Sequence, residues 1–344
     1  MIATTPLASQ LHEPETAASW QQVMANAITD PAELIERLRL DRSLLPAALR
    51  AAQTFGLRVP RGFLARMRPG DPTDPLLRQV LPLEEELQSA PGFTTDPVGD
   101  LASRTAGGVL HKYRGRALLI ATGSCAIHCR YCFRRHFPYA DHTASADRWR
   151  AALDYLRADP NLSEAILSGG DPLNLSERRL AELTDGIATI PHLKRLRIHT
   201  RTAVVVPERI DPAFCRWLKG VRLQKVMVLH VNHAQEIDAA VRATCERLRA
   251  AGATLLNQTV LLKGVNDTAT ALADLSESLF AAGVLPYYLN VLDRVAGAAH
   301  FEVPEERALE LLRELTVRLP GYLVPKLVRE EAGAHSKTSI SFFA

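Results

Sequence analysis

The sequence predicts an α/β protein in which a partial parallel βα barrel follows a helical N-terminal extension. From Arg116 onward, short apolar runs alternate with amphipathic helical stretches, as strands and helices do around a parallel sheet. Several of these runs end in polar residues, and the carboxyl ends of strands carry the functional groups of βα barrels. The first hundred residues have helical spacing instead. We expect an extension and linker over 1–105, the barrel over 106–330 and a short C-terminal segment over 331–344.

The composition is that of a globular protein. Hydrophobic residues make up 47% and charged residues 23% of the 344 positions, which excludes disordered and fibrous classes. The net charge of +3 is too small to indicate direct nucleic-acid binding. The chain has neither a signal-like start nor an apolar run of membrane-spanning length, so we expect a cytoplasmic protein. Cys215 and Cys245 stand alone in helical patterns, which is typical of buried structural thiols.

The N-terminal extension has the spacing of amphipathic helices over 19–68. Asp30 followed by Pro31 is typical of a helix start, with an N-cap residue and a proline at the first helical position. Residues 69–99 are rich in proline, glycine and aspartate and predict a connecting region with one short helix near 83–87. Because this region contains no catalytic constellation, we expect it to pack on the barrel.

The barrel region shows six strand–helix repeats and a seventh apolar run. The predicted strands are 117–121, 164–167, 195–199, 225–231, 254–261 and 287–291, with the seventh run at 322–328. The predicted helices are 146–157, 176–189, 212–219, 235–251, 269–282 and 304–319. Gly252 and Gly283 follow two of these helices, where glycine adopts the left-handed conformation that ends a helix. Polar residues follow strands at 168–171, 230–233 and 290–293, on the face that carries the chemistry of a βα barrel.

Three cysteines follow the first predicted strand. Cys125, Cys129 and Cys132 have C-x3-C-x2-C spacing, and three thiolates so close together can hold an iron–sulfur cluster. A [4Fe–4S] cubane normally has four cysteine ligands, so one iron would remain open. His136 offers an alternative, a tetrahedral Cys3His zinc site. The five βα units that follow direct polar groups to the same barrel mouth, which favours the cluster.

These motifs resemble those of radical S-adenosylmethionine (SAM) enzymes, with a three-cysteine loop after the first strand and Ser168-Gly-Gly-Asp171 after the second. Within that superfamily the chain is similar to lysine 2,3-aminomutases from about Leu110 to Lys337. The first hundred residues resemble the bacterial branch, the EpmB type, that supplies β-lysine for modification of translation elongation factor P. The matching segments are 129–135, 199–202, 207–210, 230–233, 257–258, 263–267 and 286–288.

The resemblance implies the partial (βα)6-type TIM barrel of radical SAM enzymes and a [4Fe–4S] cluster whose open iron binds SAM. Two glycines of the second motif would let the backbone approach the methionine portion of SAM closely, and neighbouring polar side chains would surround it. The residues carried over to the SAM site are Ser168, Gly169, Gly170, Asp171, His230 and Gln258.

The family also uses pyridoxal phosphate. By resemblance, Lys337 is the catalytic lysine that binds this cofactor covalently, with Lys326 as the alternative position. Lys112, Tyr113 and Arg116 are the other expected contacts, since a phosphate needs cations or hydrogen-bond donors. Lys112 stands where the family commonly has arginine, so it keeps the charge but loses the planar fork.

An α-amino acid with a distant ammonium group needs opposite charges at the two ends of its binding slot. Arg134 is expected to bind the α-carboxylate, because a guanidinium pairs bidentately with a carboxylate. Asp293 and Glu330 are expected to bind the ammonium group, and Glu330 replaces an aspartate of the family. Two carboxylates at that end argue against a glutamate mutase.

The implied function is the conversion of (S)-α-lysine to (R)-β-lysine, with electrons from a reductant such as flavodoxin or ferredoxin. The implied biological link is to elongation factor P and its lysyl-tRNA-synthetase-like ligase. One alternative keeps the chemistry but makes a free β-amino acid, from lysine or another amino acid, as a metabolite. Another is a Cys3His zinc module that binds RNA through Arg130, Arg134 and Arg135, against which the lack of aromatic stacking motifs counts.

Overall fold

The structure, a computed structural model, describes residues 18–139 and 146–341 and is organised around one sheet. Its described strands are β1 (Val109–Tyr113), β2 (Arg116–Thr122), β3 (Glu164–Gly169), β4 (Arg195–Thr200), β5 (Gln224–Leu229), β6 (Ala253–Val260), β7 (Leu285–Asn290), β8 (Lys326–Arg329) and β9 (Thr338–Ser339). They lie side by side in chain order. Strands β2 to β8 are parallel, and β1 and β9 pair antiparallel at the two edges. The sheet is therefore open, and the predicted partial barrel is confirmed.

The six predicted strands are present, with ends that differ from the prediction by no more than two residues. The seventh run begins as a 3₁₀ turn at Gly321–Leu323, so strand β8 starts later than predicted. The edge strands β1 and β9 were not predicted. Both are short, and β1 carries the basic segment before the first barrel strand, which therefore forms a hairpin with β2.

Helices cover the barrel strands and make up most of the regular structure in the extension. The described α-helices are α1 (Trp20–Ala25), α2 (Pro31–Arg37), α3 (Leu45–Thr54), α4 (Arg61–Leu64), α5 (Pro75–Arg78), α6 (Ala146–Ala158), α7 (Glu177–Ala188), α8 (Thr202–Val205), α9 (Pro212–Gly220), α10 (Ala239–Ala250), α11 (Ala269–Ala281) and α12 (Glu305–Arg318). The predicted glycine ends are confirmed, with φ of +86° at Gly252 and +74° at Gly283. Helix α10 starts later than predicted because Asp238 caps it, accepting a hydrogen bond from the amide of Val241.

The main core lies between the sheet and helices α6 to α11. Leu167, Leu196 and Met227 of successive strands are fully buried, as are Leu180 of α7 and Leu248 of α10. Burial of each such side chain contributes about 1.5–3 kcal/mol relative to exposure. This core holds the strands in register, so their carboxyl ends form a stable rim for the site.

The N-terminal extension has its own core and packs on the barrel. Asp30 caps α2 as predicted, and the side chains of Leu34, Phe63 and Leu76 are fully buried. The same cluster includes Ile127 from the cysteine loop and Val205 from α8. The extension therefore covers the loop that carries the three cysteines. None of the helices in the described ranges combines the length and apolar character that a membrane crossing requires.

Candidate active site

A cavity of about 420 Å³ lies at the carboxyl ends of the parallel strands, a volume typical of ligand sites. Every residue predicted to hold the cluster, a cofactor or the substrate lines it. These residues are Lys112, Tyr113, Arg116, Cys125, Cys129, Cys132, Arg134, Ser168, Gly169, Gly170, Asp171, His230, Gln258, Asp293, Glu330 and Lys337. Polar lining residues that were not predicted as site residues include Asp100, His199, Arg201 and Asn290.

The three loop cysteines share one wall of the cavity, and all five cysteines of the chain are free thiols. Ile127 of the loop is buried against the extension, which anchors the loop. Burial raises the pKa of the three loop thiols, that of Cys132 to about 11, so a bound metal would be what deprotonates them. Cys245 is buried, as predicted for a structural thiol, whereas Cys215 is half-buried. Neither lines the cavity.

His136 does not join the cysteines. Its ring is exposed, and Nε2 donates to the carbonyl oxygen of Ala296 at 3.1 Å. Within the described ranges, no group of three or more His, Cys, Asp or Glu side chains is placed to hold a single metal ion. A cubane cluster distributes its cysteine ligands over several irons and does not need them to converge on one point. The donor set of three cysteines therefore fits a cluster with one open iron better than a Cys3His zinc site.

Gly169 and Gly170 pack against the backbone of the cysteine loop. A Cβ atom at position 170 would lie 2.5 Å from the carbonyl oxygen of Ser124. Gly169 has φ of +121°, and a Cβ there would lie 2.5 Å from the carbonyl oxygen of Thr122. The lack of side chains thus lets the end of β3 lie against the cysteine loop. Both glycines also line the cavity, and their close approach to SAM stays a prediction.

Asp171 is saturated by protein donors. Its carboxylate accepts hydrogen bonds from the amides of Arg201 (2.7 Å), Thr202 (2.8 Å) and Leu173 (3.0 Å), and from the hydroxyl of Thr200 (2.9 Å). Burial raises the pKa of Asp171, and the backbone donors only partly offset this shift. The side chain therefore positions the loop after β4, including Arg201.

Two histidines offer unpartnered ring nitrogens to the cavity. Among the described residues, Nε2 of His230 and Nε2 of His199 are buried without a hydrogen-bond partner, and the ring centroids lie 5.8 Å apart. Burial lowers the pKa of both, that of His230 to about 3, so both rings are neutral at pH 7. Buried polar atoms without partners are rare in native proteins. Together with the nearby Gln258, they fit a bound polar ligand such as SAM.

Arg134 is fixed at one end of the cavity by a residue of the linker. Its Nε donates to Asp100 Oδ2 at 2.6 Å, and its Nη1 donates to Ser168 Oγ at 3.2 Å. Burial alone would lower the pKa of Arg134, but the carboxylate of Asp100 raises it and the net shift is upward. The guanidinium is therefore permanently charged, and Nη2 remains available for a further acceptor.

Carboxylates and lysines meet around Glu330. Glu330 Oε1 accepts a hydrogen bond from Lys112 Nζ at 2.9 Å, and Glu330 Oε2 lies 3.3 Å from Lys337 Nζ. Lys337 also donates to Asn290 Oδ1 at 2.9 Å. Burial raises the pKa of Asp293 to about 7, with Lys337 acting in the opposite direction. This part of the cavity thus carries both predicted acids and the predicted cofactor lysine.

The β1–β2 hairpin supplies two more groups. The guanidinium of Arg116 lies 4.7 Å from the ring centroid of Tyr113, and both side chains line the cavity. Burial raises the pKa of Tyr113, so its hydroxyl remains protonated and can donate. Lys326, the alternative to Lys337, is exposed on β8 and lies outside the cavity lining. The geometry therefore favours Lys337 as the cofactor lysine.

Comparison with known proteins identifies the family. Residues 119–275 match the model of the radical SAM superfamily. A protein of Escherichia coli (strain K12) described as L-lysine 2,3-aminomutase is 50% identical over 322 residues, which cover 93% of this chain and 94% of that protein. The chain belongs to the L-lysine 2,3-aminomutase family. A Haemophilus influenzae (strain ATCC 51907 / DSM 11121 / KW20 / Rd) protein of the same description is 47% identical over 93% of this chain and 95% of that protein. A radical SAM methyltransferase from Sphaerobacter thermophilus aligns with a TM-score of 0.45 at 17% identity, over 64% of this chain and 68% of that one.

Membership of the L-lysine 2,3-aminomutase family makes the chain a radical SAM enzyme of the isomerase class. Its cofactors are accordingly a [4Fe–4S] cluster, SAM and pyridoxal phosphate. The cavity has groups that fit each of them: three free cysteines, two unpartnered histidine nitrogens and the amine of Lys337. The alternative of an RNA-binding zinc module is wrong. All three of its arginines are also engaged elsewhere, Arg130 and Arg135 with Glu86 and Arg134 with Asp100.

Proposed function

We propose that the chain is an L-lysine 2,3-aminomutase that converts (S)-α-lysine to (R)-β-lysine. The observation that carries the proposal is one cavity lined by the three cysteines, by Lys337, by the guanidinium of Arg134 and by two carboxylates. When bound, the cluster and SAM supply a 5′-deoxyadenosyl radical, and pyridoxal phosphate carries the nitrogen that moves from C2 to C3.

The two charged ends would bind the substrate. Arg134, already held by Asp100 and Ser168, presents its remaining edge to the α-carboxylate. Asp293 and Glu330 would bind the distal ammonium group. Binding at both ends orients C2 and C3 within the cavity. Holding the reacting atoms in the correct orientation removes a large part of the activation barrier.

Lys337 would hold pyridoxal phosphate through its amine. Asn290 and Glu330 contact that amine in the free protein and keep it inside the cavity. Arg116 supplies a cation and Tyr113 a hydroxyl for the phosphate group. The three cysteines would hold the cluster, while Ser168, His230 and Gln258 surround SAM. Gly169, Gly170 and Asp171 complete the proposed SAM site, and their contacts also position the loops that carry these groups.

An anaerobic assay tests the proposal. The protein is reconstituted with iron, sulfide and pyridoxal phosphate, reduced, and given SAM and L-lysine, and β-lysine is measured by mass spectrometry. We expect β-lysine from the wild type and from two control variants outside the cavity, Cys215→Ala and Lys326→Ala. We expect none from Cys129→Ala or Lys337→Ala. Cleavage of SAM with unchanged lysine would show that the substrate assignment is wrong. Turnover by Lys337→Ala at the wild-type rate would show that Lys337 is not the lysine that binds pyridoxal phosphate.

We also propose a cytoplasmic role in the modification of translation elongation factor P, with electrons from a flavodoxin or ferredoxin. The 50% identity to the Escherichia coli protein over nearly the whole chain supports this assignment to the same branch. The test is to add elongation factor P and its lysyl-tRNA-synthetase-like ligase to the assay and to measure the mass of the factor. A β-lysyl increment is the expected result. If the factor stays unmodified while β-lysine accumulates, the product is a free metabolite.

A further inference from the structure

Lys112 is enclosed by oxygen atoms at the ammonium end of the cavity. Its Nζ donates to the carbonyl oxygen of Val98 at 2.8 Å and to Glu330 Oε1 at 2.9 Å, and lies 2.5 Å from Asp100 Oδ1. The side chain is 13% exposed. An ammonium group has three N–H donors, and three oxygen atoms surround this one. Lys112 therefore has no donor left for a phosphate group in this arrangement.

The contacts of Lys112 complete a row of ion pairs that joins the two ends of the substrate slot. Glu330 contacts Lys112, Lys112 contacts Asp100, and Asp100 contacts Arg134. The two terminal members are the groups proposed to bind the substrate ammonium and the substrate carboxylate. All four side chains are at most 17% exposed, so solvent screens their interactions only weakly.

We propose that Lys112 is a specificity-determining residue: through this row of ion pairs it fixes the separation of Arg134 and Glu330 and selects lysine over shorter diamino acids. The proposal rests on the proposed function. Glu330 Oε1 stays with Lys112, while Oε2 becomes free for the substrate once the amine of Lys337 is engaged by pyridoxal phosphate. Without Lys112, the buried carboxylates of Asp100 and Glu330 lose a shared cation and repel each other, so Glu330 moves.

Steady-state kinetics with L-lysine and L-ornithine, which is one methylene shorter, test this role. In the fully reconstituted enzyme, Lys112→Met is expected to raise KM for lysine by about tenfold or more and to reduce the lysine-to-ornithine ratio of kcat/KM by about fivefold or more. Lys112→Arg keeps the charge and is expected to restore most of the ratio. Asp100→Asn breaks the same row of ion pairs one contact away and is also expected to lower the lysine-to-ornithine ratio. It provides the test if Lys112→Met folds poorly.

Absorbance titration with pyridoxal phosphate, on protein without the cluster, gives a readout that is independent of turnover. We expect the Kd for pyridoxal phosphate to change by less than about twofold in Lys112→Met, because the ammonium group of Lys112 has no spare donor in the wild type. In the matched variant Arg116→Met we expect a higher Kd for pyridoxal phosphate and an unchanged lysine-to-ornithine ratio of kcat/KM. A large loss of pyridoxal phosphate affinity in Lys112→Met, with the lysine-to-ornithine ratio unchanged, would overturn the proposal. Absence of β-lysine in the wild type would instead overturn the proposed function.

Discussion

The carboxylate of Asp100 accepts a hydrogen bond from Arg134 Nε at 2.6 Å and joins the linker of the extension to the loop after the third cysteine. Asp100 and Ser168 between them use two edges of the guanidinium, and the remaining Nη2 edge faces no protein acceptor among the described hydrogen bonds. The orientation of Arg134 is therefore decided before any substrate binds. Such preorganisation lowers the entropic cost of binding.

Arg134→Lys is expected to raise KM for lysine by about tenfold or more. The lysine ammonium lacks the planar fork that lets a guanidinium contact Asp100, Ser168 and a substrate carboxylate at the same time. Affinity for pyridoxal phosphate should be unchanged. Steady-state kinetics and a cofactor titration measure the two effects. Arg114→Lys, at an exposed position in the turn between β1 and β2, is the control and should behave as the wild type. An unaltered KM in Arg134→Lys would contradict the carboxylate-binding role.

The pH dependence of substrate capture should report Asp293. Its pKa is raised to about 7 by burial, by Glu330 and by Asp100, against the opposing effect of Lys337 and Lys112. Below that pH the side chain is neutral and attracts the substrate ammonium only weakly, so kcat/KM for lysine should rise as pH increases through about 7. Glu330 stays charged over this range, because Lys337 and Lys112 outweigh burial and lower its pKa.

The comparison for this prediction is Asp293→Asn, which cannot titrate. The ratio of wild-type to variant kcat/KM, measured between pH 6 and pH 8.5, should rise with pH and then level off. A ratio that is independent of pH would show that another group is responsible.

Gly170→Ala should prevent assembly of the cluster. A Cβ at this position would lie 2.5 Å from the carbonyl oxygen of Ser124, a backbone atom that cannot swing away as a side chain can. The cysteine loop must then shift, and iron content after reconstitution should fall to a small fraction of the wild-type value. Gly220→Ala is the matched control, since a Cβ there meets no atom within 4 Å. Equal iron content in the two variants would contradict this account.

Glu86→Gln should destabilise the fold. Glu86 is buried in the extension and pairs with Arg130 at 2.5 Å and Arg135 at 2.7 Å, two arginines next to the cysteines. Neutralising it leaves two buried guanidinium groups without their carboxylate, which costs about 3–5 kcal/mol in comparable pairs. Urea unfolding of the cofactor-free protein measures the loss. Glu310→Gln, in an exposed pair with Arg307, is the control and should unfold at the same urea concentration as the wild type.

Local patterns were sufficient for the barrel and the cysteine loop, whereas the candidate site residues came mainly from the resemblance to a known family. Strand and helix positions follow from hydrophobic periodicity, which depends on near neighbours, and they agree with the structure within two residues for the six predicted strands. The cysteine spacing is likewise local. Residues such as His230 and Glu330 could be placed at one mouth because the carboxyl ends of parallel strands meet there.

The roles of several side chains depend on contacts between distant parts of the chain. Asp100 lies 34 positions from Arg134, and Lys112 lies 218 positions from Glu330. Neither separation leaves a periodic or spacing signal, so Asp100 was not predicted as a site residue and Lys112 was predicted only as a phosphate contact. The sequence by itself determined the barrel and the cysteine loop, since these arise from local spacing, and its motifs indicated the family of chemistry by resemblance. Only the tertiary structure decided which cation faces which carboxylate, because burial and pairing of charges exist only after the chain has folded.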